Sequence, residues 1–465
     1  MGQLLLLLTL TLLPPIQMVE PIEPLRLTVT PCAVVADDRD VLDRSGDGNA
    51  AVAWMRAGML AHQTEVHGVP ITQIVVAELN EQELRMVAAT MDDVAEPISV
   101  AVAAGQCDWQ LGRPSWRTLL PELQRLSSLN KVLAAEARLA TEYGLVLRQS
   151  ETRAVREFAA GSADAVEATV LRNVAQRLAL ASDIATEAWL VHGGIATDMR
   201  AAALIDLAAW MEQPGSSNHH ALLDDCSLSL PLLAEMIEAE REGVIATFPV
   251  LDLDADGGEP TMVDIVRLLA GLNDFQTHFG ATDTAFGAAR AITLIGPAND
   301  WHLARGVTEE ALRDIPVPTR LRDWMATEFD DWTQQQVDAA TLPPVEAALE
   351  LGKIRAAWER RESENPLLEM LPVVRKVPVD FAEAERLRVI LMAIEAVRHH
   401  VAEHGRLPDT LDDVELAVPV DPLTGVAIGY EASGEHFSLT PPRVDGLTVN
   451  PRLERRIVVT LRAAE

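Results

Sequence analysis

The stretch DLDADGGE, residues 252–259, carries the sharpest chemical signal in the chain. Asp252, Asp254 and Asp256 fall at positions 1, 3 and 5 of an EF-hand-like loop, and Gly257 follows at position 6. Calcium needs several hard oxygens on a tight turn, and the glycine permits that turn. The second half departs from the pattern: position 12 is Val263, and Asp264 comes one residue late. Glu259 is then left to supply the further oxygen, so Asp252, Asp254, Asp256 and Glu259 are the candidate calcium set. The same acids also read as a turn ahead of a helix starting near Thr261, where negative charge complements the helix dipole. DRSGDGN, with Asp43, Ser45, Asp47 and Gly48, opens alike but lacks an acidic closing residue and reads as a linker turn.

Histidine and serine raise two further chemistries. His400 and His404 are spaced i, i+4, which puts two imidazoles on one helical face as a metal pair. No HExxH glutamate accompanies them and no third ligand lies nearby in sequence. Together with His399 they also complement the dipole at a helix C-terminus, so no metal is assigned there. LVHGGIAT (190–197) has the look of an esterase backbone-donor loop, and GSSNHH (215–220) sets serine beside histidine. Without a G-x-S-x-G elbow neither makes a nucleophile, and they read as a helix cap and a surface loop. The chain has no P-loop, dinucleotide-binding or zinc motif, and no catalytic residue is assigned. Cys32, Cys107 and Cys226 contain no C-x-x-C pair. On export, one bridge with one free thiol is open, with Cys107 to Cys226 the preferred pair; unpaired buried thiols are equally open.

The elements that must position these groups are mainly helical. Ala and Leu dominate, and both lose little entropy in a helix. Nearly half of the 465 residues are apolar, enough for real cores, and the length implies more than one domain. The formal charge of −32 repels phosphate backbones and anionic lipid surfaces, which disfavours nucleic acid and membrane partners. The run Leu4 to Leu13 has the length of a signal-peptide core and is too short to span a bilayer. No Lys or Arg precedes it, so a cytoplasmic location stays open beside export.

Residues 1–20 therefore read as a signal peptide or apolar leader, 21–48 as linker, 49–113 as an N-terminal helical segment and 114–377 as a helical body. Residues 378–465 read as a C-terminal helix and β-hairpin module packed as a cap. Asn49 is placed to cap the helix over 49–61, and ISVAVAAGQCDW (98–109) reads as a strand or a buried extended piece. Val166, Val170, Leu171, Val174 and Leu178 share one helical face. Asp380 is read as the N-cap of the last long helix with Glu383 as its box partner, and Gly405 as its left-handed stop. A hairpin is expected from VAIGYE and EHFSLT.

This tail resembles the ending of a group of exported proteins from planctomycete-type bacteria, and is similar to the tail of type II secretion pseudopilins. His404, Gly405, Arg406, Pro408, Leu411, Pro419, Asp421, Pro422, Thr424, Gly425 and Tyr430 match that pattern of helix, turn, short helix, turn and β-pair. NAAVAWMRAGML (49–60) and the CDW segment (107–109) look like the helical body of the same proteins. Leu407 stands where the group has an aromatic, and the pseudopilin methylation motif is missing, so pilus assembly is not implied. The group brings no activity with it.

The expected fold is mainly α: an irregular antiparallel helical bundle or short α-solenoid with a small C-terminal helix-plus-β-hairpin module. The expected role is that of an exported, periplasmic or extracellular, non-catalytic scaffold that binds a protein partner and carries no obligatory cofactor. A hydrolase with a site assembled from distant residues, or a calcium-stabilised extracytoplasmic binding protein, stands as the alternative.

Overall fold

The computed structural model describes residues 24–33, 35, 46–107, 109, 116–148, 157–186, 189–226, 232–253, 259–276, 284–360, 364–370, 374–444 and 456–462. Among them the fold is mainly α. The first half carries α1 (Ala50–His62), α2 (Glu81–Ala88), α3 (Met91–Ala103), α4 (Trp116–Tyr143), α5 (Ala163–Ile184), α6 (Leu190–Met211) and α7 (His220–Asp225). The second half carries α8 (Leu233–Thr247), α9 (Met262–Gln276), α10 (Thr284–Ala304), α11 (Glu309–Asp314), α12 (Val317–Ala340), α13 (Pro344–Arg360) and α14 (Val377–His404). The strands are β1 (Leu25–Val29), β2 (Gly46–Asn49), β3 (Glu65–Val66), β4 (Val69–Pro70), β5 (Ala104–Gln106), β6 (Leu145–Arg148), β7 (Glu157–Ala160), β8 (Gly429–Ser433), β9 (His436–Thr440) and β10 (Ile457–Leu461), and a four-stranded sheet joins β1 to the three late strands.

By contact the described residues form two compact units. One is essentially 232–378; the other combines 24–111, 119–231 and 379–462. The expected 114–377 segment is thus divided between the units, and the chain re-enters the larger one at Val379.

In the larger unit, α1 begins where the Asn49 side chain accepts a hydrogen bond from the Ala51 amide at 3.0 Å, as its cap position predicts. It buries Trp54, Ala57 and Ala61. Gly58 lets the helix approach α4: a Cβ there would lie 3.1 Å from the Arg125 backbone. Of the strand expected over 98–109, Ala104–Gln106 does form a short strand, paired parallel with Gly46–Asn49, whereas residues 98–103 are the second half of α3. Val94, Ile98 and Ala101 fall on one helical face and are buried, so tertiary packing overrides the β-branched propensity. On α5, Val166, Val170, Val174 and Leu178 are buried as the periodicity requires, and Leu171 packs at the edge of the same core. Polar pins join α5 to its neighbours. Glu136 accepts from Arg172 at 3.1 Å and from Asn173 at 2.9 Å, and Arg177 bonds Asn130 at 2.7 Å and pairs with Asp206.

Part of the expected 21–48 linker is structured. β1 pairs parallel with β10, Leu25 opposite Ile457 through Val29 opposite Leu461. β8 and β9 form the expected hairpin around Gly434, whose φ of +62° favours glycine, and β9 pairs antiparallel with β10. Alternating Ile457, Val459 and Leu461 join Phe437 and Leu439 in the core that holds the middle of α14.

α14 is not a cap. Residues 388–398 are buried without interruption, about three helical turns, so every face of the helix is covered. The helix starts at Val377, which places Asp380 in its first turn and not at the N-cap. It ends as expected: Gly405 has φ +69° and donates to Val401 O at 2.8 Å.

The 232–378 unit is built around α12. Leu321, Trp324, Met325, Phe329 and Trp332 pack with Ile265, Leu268, Leu269 and Leu272 of α9 and with Ala291, Leu294 and Ala298 of α10. Arg305 stacks over Trp301 at 3.8 Å, and Arg355 over Trp358 at 3.5 Å. Asp330 pairs with Arg241 at 2.8 Å and Asp331 lies 3.6 Å from Arg305.

Candidate functional site

Of the candidate calcium residues, Asp254 and Asp256 lie outside the described residues, as do Asp43 and Ser45 of the weaker loop. Asp252 closes a 3-10 turn over Pro249–Leu251, and Glu259 is exposed. Asp264, one place late for an EF-hand, caps α9. Its carboxylate accepts from the Thr261 hydroxyl at 2.7 Å and the Thr261 amide at 3.0 Å, and these bonds hold its pKa below the usual carboxylate value. The first turn of α9 thus carries its own capping carboxylate.

The serine and histidine of GSSNHH are not on a surface loop. Ser216, Asn218, His219 and His220 are all buried. Arg398 of α14 is the reason. Its Nη2 donates to Ser216 O at 2.8 Å and to Ser216 Oγ at 3.1 Å, while Nη1 bonds both Glu395 oxygens at 2.9 and 2.8 Å. Its Nε donates to Thr30 O at 2.7 Å, which ties in the segment after β1. Asn218 Nδ2 donates to Glu395 O at 2.8 Å, and Ser216 Oγ donates to Met211 O at 3.1 Å. His219 Nε2 sits 3.5 Å from Glu167, and His220 Nε2 is 2.8 Å from Ala417 O. Ser216 is therefore engaged on both sides of its hydroxyl, with no histidine among its partners.

LVHGGIAT forms the opening turns of α6 and no loop. His192 faces inward, and burial pushes its pKa down to about 4, so the imidazole is neutral near pH 7.

The Pro-x-Asp-Pro-x-Thr-Gly turn is a second buried anchor. Asp421 and Arg386 are both fully buried and joined by two bonds, 2.6 Å from Nε and 2.8 Å from Nη2. Thr424 adds its hydroxyl at 2.7 Å and its amide at 3.1 Å to the same carboxylate. Gly425, at φ +69°, donates to Asp421 O and completes the turn. Tyr430 Oη donates to Pro408 O at 3.1 Å, and desolvation raises its pKa to about 12. Of the tail's matched residues, Asp421, Thr424, Gly425, Tyr430 and Pro408 are thus engaged in pairing and turn geometry.

No disulfide joins Cys107 to Cys226; the described cysteines are in the thiol form. Cys226 donates to Leu223 O, and burial raises its pKa against the opposing charge of Arg200 and Arg388. A thiol held protonated this way is a poor nucleophile.

One cluster gathers groups that sequence spacing did not connect. His404 Nε2 lies 2.5 Å from Glu415 Oε1, and His400 Nδ1 lies 3.4 Å from Glu415 Oε2. The His404 hydrogen bond, first among its causes, holds the Glu415 carboxyl down to about 2. The ligand-type atoms of all three lie within 4.8 Å of one another. Glu415 escaped the sequence reading because the turn between Gly405 and the 3-10 helix Leu411–Asp413 folds the chain back alongside α14. The Thr410 to Asp413 bonds at that short helix were the local signal that such a return exists.

No protein-family model, curated protein or solved structure matches the chain. Among the described residues no helix is long and apolar enough to cross a membrane.

Proposed function

We propose that the chain is an exported, non-catalytic helical scaffold that binds a protein partner. One observation carries this reading: among the described residues, the candidate serine, the buried thiol and the buried acids of the tail and of α14 are spent on holding the fold. Ser216 and Glu395 serve Arg398, Asp421 serves Arg386, and Cys226 is buried and protonated. The resemblance of the tail to exported proteins supports the location, and the net charge of −32 favours a partner that is not itself strongly acidic.

Helices α1 and α3 offer a surface for it. Arg56 of α1 and Glu96 of α3 meet at 3.5 Å on their exposed side. Val52 and Met59 flank Arg56 at i−4 and i+3, and Val100 follows Glu96 at i+4, so helical geometry puts three apolar side chains beside that bridge. All three are exposed. Apolar side chains rimmed by a weak surface ion pair suit a protein contact.

The triple variant Val52→Glu, Met59→Glu, Val100→Glu tests this in cells by site-directed cross-linking at α1. The parent is expected to give a discrete cross-linked species that the variant loses, with an unchanged circular-dichroism melt. Saturable hydrolysis of ester or peptide substrates by the purified chain, abolished by a single polar substitution, would instead establish the hydrolase alternative.

A further inference from the structure

We propose that His400, His404 and Glu415 form a binding site for a zinc-class divalent transition metal, which clasps the end of α14 to the segment that returns beside it. Two imidazoles and one carboxylate are a zinc ligand set, whereas calcium and magnesium prefer oxygen alone. The i, i+4 histidines sit in the last turn of a helix whose three preceding turns are packed on every face, so their spacing is fixed by the core. The ring centroids are 4.4 Å apart.

The second observation is His400 itself. Its side chain is 7% exposed, and neither ring nitrogen has a hydrogen-bond partner, although Nδ1 faces Glu415 Oε2 at 3.4 Å. A buried imidazole aimed at a carboxylate without a hydrogen bond is an expensive arrangement that a shared cation relieves. Tetrahedral zinc with bonds of about 2.0–2.1 Å holds its ligand atoms about 3.3 Å apart. The 3.4 Å between His400 Nδ1 and Glu415 Oε2 is already at that spacing, and the ligand atoms of all three residues lie within 4.8 Å of one another. The 2.5 Å contact between His404 and Glu415 has to open by under about 1 Å, which exposed side chains do by rotamer adjustment. His404 and Glu415 are 48% and 41% exposed, so the fourth coordination position faces water. The surplus of carboxylates over the chain favours approach of a cation.

The test uses the full chain stripped with a chelator and titrated with zinc chloride by calorimetry, with cobalt(II) as the spectroscopic probe. One equivalent of zinc is expected to bind, calcium is expected not to compete, and cobalt is expected to show the visible absorption of a low-coordinate nitrogen–oxygen site. His404→Ala and Glu415→Gln should each weaken zinc more than about tenfold. Both side chains are partly exposed, so the metal-free melts of these variants should match the parent. The proposal is overturned if the stripped parent takes up no zinc, or if either variant binds it as tightly as the parent does.

Discussion

The central helices of the two units bury their surfaces in different ways. α12 shows a mostly apolar stripe to its neighbours, with Glu328, Thr333 and Gln336 also buried, and leaves Asp331, Gln334, Gln335 and Asp338 in water, as an amphipathic helix does. α14 has no such free side: from residue 388 to 398 nothing on it is exposed. The polar groups on α14 are consequently forced inward, and each of its buried arginines has a carboxylate beside it: Arg386 with Asp421, Arg388 with Glu385, Arg398 with Glu395. In the 232–378 unit Arg305 and Arg355 stack on Trp301 and Trp358, and Arg241 pairs with the partly exposed Asp330. The difference shows where each unit is vulnerable. Losing an atom from an apolar core leaves a cavity, whereas losing one partner of a fully buried ion pair leaves a charge with no solvent and no counter-ion.

The sharpest way to break the comparison is Asp421→Ala. It leaves Arg386 buried and uncompensated, and the larger unit is expected to lose about 4 kcal/mol in urea unfolding. Arg386→Met combined with Asp421→Leu should recover much of that loss, because the pair is then replaced by apolar packing. Next in size is Leu321→Ala in α12, expected to cost about 3 kcal/mol through the cavity it opens. Hydrogen exchange resolved along the chain should place this loss within 232–378 and the Asp421 loss outside it.

A smaller effect comes from pH. His192 has its pKa lowered to about 4 by burial, against 6.5 in the unfolded chain. Below pH 6.5 the unfolded state binds a proton that the folded state refuses, so stability falls as the pH drops toward 4. Between pH 7 and pH 5 this amounts to about 2 kcal/mol, and His192→Gln should remove that part of the dependence in paired urea melts. An unchanged slope in the variant would mean that His192 is solvated.

Features set within a few residues of one another were legible. Asn49 capping α1, Gly405 ending α14, the hairpin at Gly434 and the buried stripe of α5 all follow from local chemistry and helical or strand period. The readings that failed depended on partners far away in the chain. β1 looked like linker because its partner strand begins at Ile457. GSSNHH looked solvated because nothing nearby announced Arg398. Asp380 is the local exception: it looked like a cap, but the helix already starts at Val377. The histidine pair lacked its third group because Glu415 is eleven residues on, beyond the reach of helical spacing.

Composition and period by themselves determined that this chain is acidic and mainly helical, with a turn-rich tail, because propensity, capping and turn conformation act over one to four residues. Only the tertiary structure decided that the last long helix is a core element and not a cap, and that its tail aspartate and serine loop are anchors for arginines. It also decided that two histidines face a glutamate. Those outcomes rest on which distant segments share a buried volume, and desolvation in that volume determines whether a charged residue is a surface decoration or an anchor of the fold.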